Sequence, residues 1–383
     1  MIEEINLLAK LIEIPSQIGV NNEKDISLFL VELLRKNGFS VEIYEFAKDR
    51  PNIIAKYKFR NSGPTVIFNG HMDTVPYYNE QNSWETDPCK AIIKNDKVYG
   101  RGSCDMKGGI ACALTAIFRC IKENTGCGSI IVNFVSDEEN TSLFGTIPLC
   151  NNNLIAGDFA IIMEPTECVV CPQQLGNMFF VTRINGIGGH TGIPNGKINP
   201  FDIAIDYIDV LKKWADEKKE HEDDLQPFIN IGHFEGGTCS GTIPNYCLIF
   251  WGTRVLPSDT FDCYLDEINI LTDDFKKGLT SPCGIETVLF EGGGTDSFSC
   301  SSKFIDVLVG ISGKEKGIFP ASCDAGFINK ILGIDSVVYG PGSINQAHSQ
   351  NEYVSISEMQ ECTKVLYEFL KNLCKYNTTL QVF

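Results

Sequence analysis

Residues 106–139 read MKGGIACALTAIFRCIKENTGCGSIIVNFVSDEE. Segment 106–122 has helical periodicity and opens on a glycine pair. Segment 129–136 is a short continuous apolar run, the pattern of a buried strand. The strand ends in Asp137-Glu138-Glu139, acids placed where open α/β sheets bind ligands, at the carboxyl edge. The same alternation extends outward. Helices are predicted over 2–13 and 22–37, the second stopping at Gly38, and strands over 40–46, 51–58, 64–70 and 158–163. Buried strands alternating with helices specify an α/β sandwich around a largely parallel or mixed sheet.

The middle of the chain follows another order. A strand over 177–186 precedes a helix opened by Asn199-Pro200, an N-cap followed by proline at the first helical position. Strands near 228–235 and 245–255, a helix capped by Ser258 and a strand over 284–290 complete β-α-β-β-α-β, the split pattern of a ferredoxin-like unit. Gly292-Gly293-Gly294 reads as a hinge, after which the α/β pattern resumes with strand 335–339 and a helix over 357–374. The expected architecture is a discontinuous α/β sandwich, residues 1–177 and 289–383, with residues 178–288 inserted as a ferredoxin-like domain.

The 383 residues carry a net charge of −17, which repels nucleic acid and anionic lipid and admits a cationic small molecule or a divalent metal. No run approaches the ~18 apolar residues of a membrane span, and Met1-Ile2-Glu3-Glu4 lacks the basic start of a secretory signal. Neither nucleic acid nor membrane is an expected partner. The sixteen cysteines are expected to be reduced thiols of a cytoplasmic protein, mostly core residues, the Cys168/Cys171 pair included. His221, in a charge run, and His233 are assigned no function.

Five segments carry candidate metal ligands. Four follow apolar strands: His71-Met72-Asp73, Asp137-Glu138-Glu139, Glu164-Pro165, and Gly340 to His348. The fifth, GRGSCDMKGG at 100–109, opens the helix and lacks the order of a phosphate-binding loop. Two histidines, one aspartate and two glutamates form a nitrogen/oxygen donor set for zinc or a similar ion. Five donors exceed one tetrahedral zinc; they suit two metals sharing a bridging carboxylate and a water. A spare carboxylate on the Asp-Glu-Glu turn is left free to act as general base.

These segments resemble the zinc-dependent deacylases and exopeptidases that include acetylornithine deacetylase, succinyl-diaminopimelate desuccinylase and aminoacylase. HMDTVP (71–76) and GRGSCDMKGG (100–109) match the two family signatures, and SDEE, MEPT and QAH follow in order. GPGSINQAHSQNEY (340–353) is most similar to the acetylornithine deacetylase branch. The resemblance covers nearly the whole chain and implies that the insert is a lid and dimerisation domain.

Residue by residue, the resemblance implies that His71, Asp105 and Glu164 hold one metal and Asp105, Glu139 and His348 the other. It implies two Zn²⁺ per subunit, with Co²⁺ as an alternative. Asp73 would orient His71, Glu138 would be the general base, His190 would polarise the scissile carbonyl across a homodimer interface, and Arg254 would clamp the substrate α-carboxylate. The chain departs from the family at Gly241 and Gly252, where asparagine and aspartate are usual, and at Cys323-Asp324, where Thr-Glu is usual; Asp324 is left as a candidate to face a cationic side chain. The expected activity is hydrolysis of an N-acyl amino acid, first N²-acetyl-L-ornithine in arginine synthesis. The alternatives are acetylcitrulline, succinylornithine, a dipeptide, or a catalytically silent binding protein on the same fold.

Overall fold

The computed structural model describes residues 3–77, 84–218, 227–279 and 283–376; His221 lies outside them. The chain forms two compact units, Met1–Gln174 with Ser299–Phe383, and Leu175–Phe298. The first is built on a six-stranded sheet ordered Ser40–Ala47, Arg50–Lys58, Ser129–Val135, Thr65–His71, Phe159–Ile162, Ser336–Val338. Arg50–Lys58 is antiparallel to both its neighbours; from Ser129–Val135 onward every pairing is parallel. The parallel strands are buried almost throughout, which is why they read as unbroken apolar runs. Their carboxyl ends therefore share one edge, and the sequence after each end carries His71, Glu138, Glu164 and His348 to it.

Helices Glu3–Ile12, Lys107–Glu123 and Ile356–Asn372 pack on one another, and Lys107–Glu123 also packs on Thr65–His71. The glycine pair sets how closely the Lys107–Glu123 helix enters. A Cβ on Gly109 would fall 2.1 Å from the Met163 carbonyl oxygen, and one on Gly108 2.4 Å from that of Ser103. No described helix is long and apolar enough to cross a membrane.

The second unit is an antiparallel sheet ordered Asn230–Gly236, Tyr246–Val255, Gly176–Asn185, Ile285–Thr295, with helices Pro200–Glu217 and Phe261–Gly278. This is the expected β-α-β-β-α-β order. Its core sets Phe180 against Trp251, ring centroids 4.5 Å apart, beside buried Tyr207 and Tyr264. Asn199 caps the first helix by accepting the Phe201 N–H at 3.1 Å.

Several expectations change. The second helix is capped by Thr260, not Ser258, because the Thr260 hydroxyl accepts the Cys263 N–H. Gly292-Gly293-Gly294 is not a hinge between units. It lies in the Ile285–Thr295 strand, where the register on Gly176–Asn185 shifts between Leu289 and Gly294. Glycine is needed at that irregularity: a Cβ on Gly293 would lie 2.5 Å from the Phe290 carbonyl oxygen. The strand thus continues past 288 and closes on Asn177, so the unit runs 175–298 where the sequence placed 178–288. Among the described residues fourteen cysteines are free thiols, Cys168 and Cys171 buried among them, but Cys127 is disulfide-bonded. Disulfides need Cβ atoms within a few ångströms, a proximity that spacing along the chain does not reveal.

Candidate metal centre

His71 ends its strand with the ring wholly buried. Its Nε2 lies 2.9 Å from Asp105 Oδ1 and 3.7 Å from Glu164 Oε1. On the other side of Asp105, His348 Nε2 lies 3.3 Å from Oδ2 and 2.7 Å from Glu139 Oε2. The five sequence-predicted donors therefore fall into two clusters, His71–Asp105–Glu164 and Asp105–Glu139–His348, with Asp105 common to both. Glu138 stands beside the first cluster without joining it, its Oε2 3.9 Å from His71 Nε2.

The turns behind these donors hold them in place. The resemblance gives Asp73 the task of orienting His71, but the nearest partner of Nδ1 is the Asp73 main-chain carbonyl, at 2.9 Å, while the carboxylate stands at 3.6 Å. Nδ1 donates to that carbonyl, which leaves Nε2 facing Asp105 as the free ligand atom. The Asp73 carboxylate instead accepts the N–H groups of Glu139, at 3.0 Å, and Glu138, at 3.4 Å. Asp137 is not left over for catalysis. Its carboxylate accepts the Thr141 hydroxyl, the Phe144 N–H and Arg50 Nη1, and Arg50 pairs at the same time with Glu23 through two nitrogens. The Asp-Glu-Glu turn is thus pinned from both sides, with Glu138 and Glu139 projecting from it.

The donor chemistry fits two divalent cations. Burial raises the Glu138 carboxyl well above its usual range; the His71 charge opposes this, and Glu164, Asp324 and Glu139 add to it. Burial likewise raises Glu164, reinforced by Asp105. Burial works to lower His71, yet the Asp105 hydrogen bond and the Glu164 and Glu138 charges hold it well above normal. Hydrogen bonds donated to the Asp105 and Glu139 carboxylates raise His348 to about 11. Glu139 Oε1 is buried with no hydrogen-bond partner. So many carboxylates crowded together, with an orphaned oxygen and two imidazoles turned toward them, mark a site built for cations of higher charge.

Asp324, which the sequence left open, is buried beneath this centre rather than at a surface. It accepts the Ser142 hydroxyl at 3.2 Å, and its carboxyl is raised chiefly by burial. Sequence reasoning gave no role to Glu352, a buried carboxylate four residues past His348, nor to the Arg50–Glu23 pair.

The other two site residues lie in the second unit. His190 is exposed on a short ribbon, opposite Thr242, and its Nδ1 accepts the Gly192 N–H at 2.9 Å, leaving Nε2 as the donor. Arg254, half-buried near the end of the Tyr246–Val255 strand, has no acidic partner among the described residues, and its pKa is lowered by burial. Gly252 has a steric cause, since a Cβ there would meet the Phe179 ring at 2.7 Å; at Gly241 a Cβ would meet open space.

The model of peptidase family M20/M25/M40 matches residues 67–372. The acetylornithine deacetylase of Photorhabdus laumondii is 28% identical over 97% of this chain and 98% of its own length. That of Aliivibrio salmonicida is 30% identical over 88% of each. Among solved structures, a tripeptidase from Staphylococcus aureus superposes with a TM-score of 0.79 at 22% identity, covering 97% of this chain and 98% of its own. A metallo-carboxypeptidase from Sulfolobus solfataricus gives 0.78 at 19% identity, covering 98% and 100%. At those identities the structures speak to the fold alone.

Proposed function

We propose that this chain, which belongs to peptidase family M20/M25/M40, hydrolyses N²-acetyl-L-ornithine to L-ornithine and acetate, a step that supplies arginine synthesis. The coarser activity, metal-dependent hydrolysis of acyl amino acids, follows from the family and from the near full-length relatives. The finer one rests on those relatives being acetylornithine deacetylases and on the motif around His348. The observation that supports the hydrolytic chemistry is the pair of donor clusters joined at Asp105 with Glu138 outside both, beside the first.

In this reading His71, Asp105 and Glu164 hold one Zn²⁺ and Asp105, Glu139 and His348 the other, with Co²⁺ as the alternative ion. Ions bound there would supply Lewis-acid polarisation of the acyl carbonyl and a lowered pKa for a nearby water. Glu138 accepts the proton of the attacking water and returns it to the leaving amine. His190 donates from Nε2 to the oxygen that becomes negative as the acyl carbon turns tetrahedral. Arg254, half-buried and without an acidic partner among the described residues, receives the substrate α-carboxylate, a pairing guanidinium makes bidentately.

A substrate panel tests this. Acetylornithine is expected to turn over with a higher kcat/KM than acetylcitrulline, succinylornithine or a dipeptide; a better rate on one of these names a different substrate. Arg254→Ala is expected to lower kcat/KM by roughly 10–100-fold, the equivalent of a charge-assisted hydrogen bond. The same change should leave a substrate analogue lacking the α-carboxylate untouched, and an equal loss on both substrates removes Arg254 from carboxylate binding.

A homodimer formed through the second unit is part of the proposal. Asn230–Gly236 is an edge strand, and exposed Phe179, Val288 and Phe290 accompany it in the same sheet, features that pairing between two copies would cover. His190 would then serve the partner subunit's centre. Sedimentation at assay concentration is expected to show a dimer, and a fully active monomer excludes the cross-subunit role.

A further inference from the structure

GRGSCD at 100–105, the turn that delivers Asp105, is unusually open in backbone conformation. Gly100 has φ +151° and Gly102 φ +79°, so the peptide N–H groups of 102, 104 and 105 converge on one point. Such a concavity of N–H groups binds anions. Here the anion comes from the chain itself. Glu352 Oε2 accepts from Gly102 N at 2.9 Å and from Arg101 Nη1 at 3.0 Å; Oε1 accepts from Cys104 N at 2.8 Å and from Asp105 N at 3.0 Å. Four donors satisfy both oxygens of a carboxylate that has no solvent exposure. The Glu352 carbonyl accepts the Gly100 N–H as well, at 3.0 Å.

The same residue lies four positions after His348, at the end of the loop that carries it. Arg101 Nη1 reaches the Ser349 carbonyl at 3.3 Å within that loop. His348 needs such an anchor: its side chain is 55% exposed, whereas Asp105 and Glu139, the other members of its cluster, are 9% and 4% exposed. Packing alone does not hold it. Glu352 thus ties the turn bearing the shared carboxylate to the loop bearing the second histidine, 3.3 Å apart at their ligand atoms.

We propose that Glu352 is a positioning residue that sets the Asp105–His348 geometry, and with it the affinity of the Asp105–Glu139–His348 cluster for its metal. It touches neither the metal nor the substrate. The inference rests on the two-metal reading above, and the experiment separates the two. Metal-free wild-type protein, Glu352→Gln and Glu352→Asp are titrated with Co²⁺ against a chromophoric chelator, with far-ultraviolet circular dichroism as the check on folding. Glutamine keeps the shape but turns an amide N–H₂ toward two of the four donors. Aspartate keeps the charge but is a methylene too short to span the turn.

Wild-type protein is expected to bind two Co²⁺; if it binds none, the metal reading fails. In both variants the ion of the Asp105–Glu139–His348 cluster is expected to bind ~10–100-fold more weakly, the range for residues that orient metal ligands, and the other ion, which shares Asp105, to weaken less. Saturating metal should restore most of kcat with KM little changed. Two ions bound at wild-type affinity in a folded variant overturn the inference while leaving the two-metal reading intact, and so does equal weakening of both ions. Should Glu352→Gln fail to fold, Glu352→Asp decides alone.

Discussion

Exhaustive chelation is expected to reduce hydrolysis of the acylated amino acid to the uncatalysed rate, and added Zn²⁺ or Co²⁺ to restore it. Without the ions, the centre is an acidic cluster in which burial raises Glu138 and Glu164 toward their neutral forms, and the neighbouring carboxylates raise His71 above its ordinary value and His348 to about 11. A protonated Glu138 cannot accept a proton from water, and protonated imidazoles cannot bind a metal. Loading the metal-free protein therefore has to displace protons. Adding Co²⁺ in weakly buffered solution near neutral pH should acidify it, and affinity should rise with pH, because His348 is raised to about 11 and His71 is raised as well. Activity that persists in protein shown by elemental analysis to be metal-free overturns the mechanism. Metal uptake without proton release contradicts the raised pKa of His348.

Sequence and structure agree most closely where chemistry follows the end of a buried strand. His71, Glu138 and Glu164 each come directly after an apolar run, so reading the run places the residue at the sheet edge. Asp105 was legible for another reason: a glycine-rich turn opening a helix is distinctive in itself. The supports were not legible. Arg50 and Asp137 are 87 positions apart, and Glu352 and Asp105 are 247 apart, so nothing local announces that one holds the other. Asp73 shows the limit within a motif. Its place beside His71 was evident, but only the fold reveals that its carbonyl holds the imidazole while its carboxylate holds the Glu138–Glu139 turn. Gly292-Gly293-Gly294 misled because a glycine run has two physical uses, freedom in a linker and close approach in an irregular strand, and composition does not choose between them.

The sharpest division of labour is between two adjacent residues. Glu138→Gln keeps the side-chain shape but cannot take a proton from water at neutral pH. If Glu138 is the general base, kcat should fall by roughly 10²–10⁴, or further because the same group serves the attacking water and the leaving amine. Metal content and KM should change little, since Glu138 stands outside both donor clusters, 3.9 Å from His71 Nε2. Glu139→Gln should behave differently. Glu139 Oε2 lies 2.7 Å from His348 Nε2 within the second cluster, so its loss weakens one metal and excess metal should partly restore turnover. The shared turn makes the comparison fair. Both residues are held through N–H groups bonded to the same Asp73 carboxylate, so a disturbance of the backbone would affect both variants alike. The two outcomes are read by elemental analysis beside steady-state kinetics. Loss of a metal in Glu138→Gln, with both kept and turnover lost in Glu139→Gln, reverses the assignment. Near-normal turnover in Glu138→Gln with both metals bound leaves the water proton to another acceptor and removes Glu138 from the reaction.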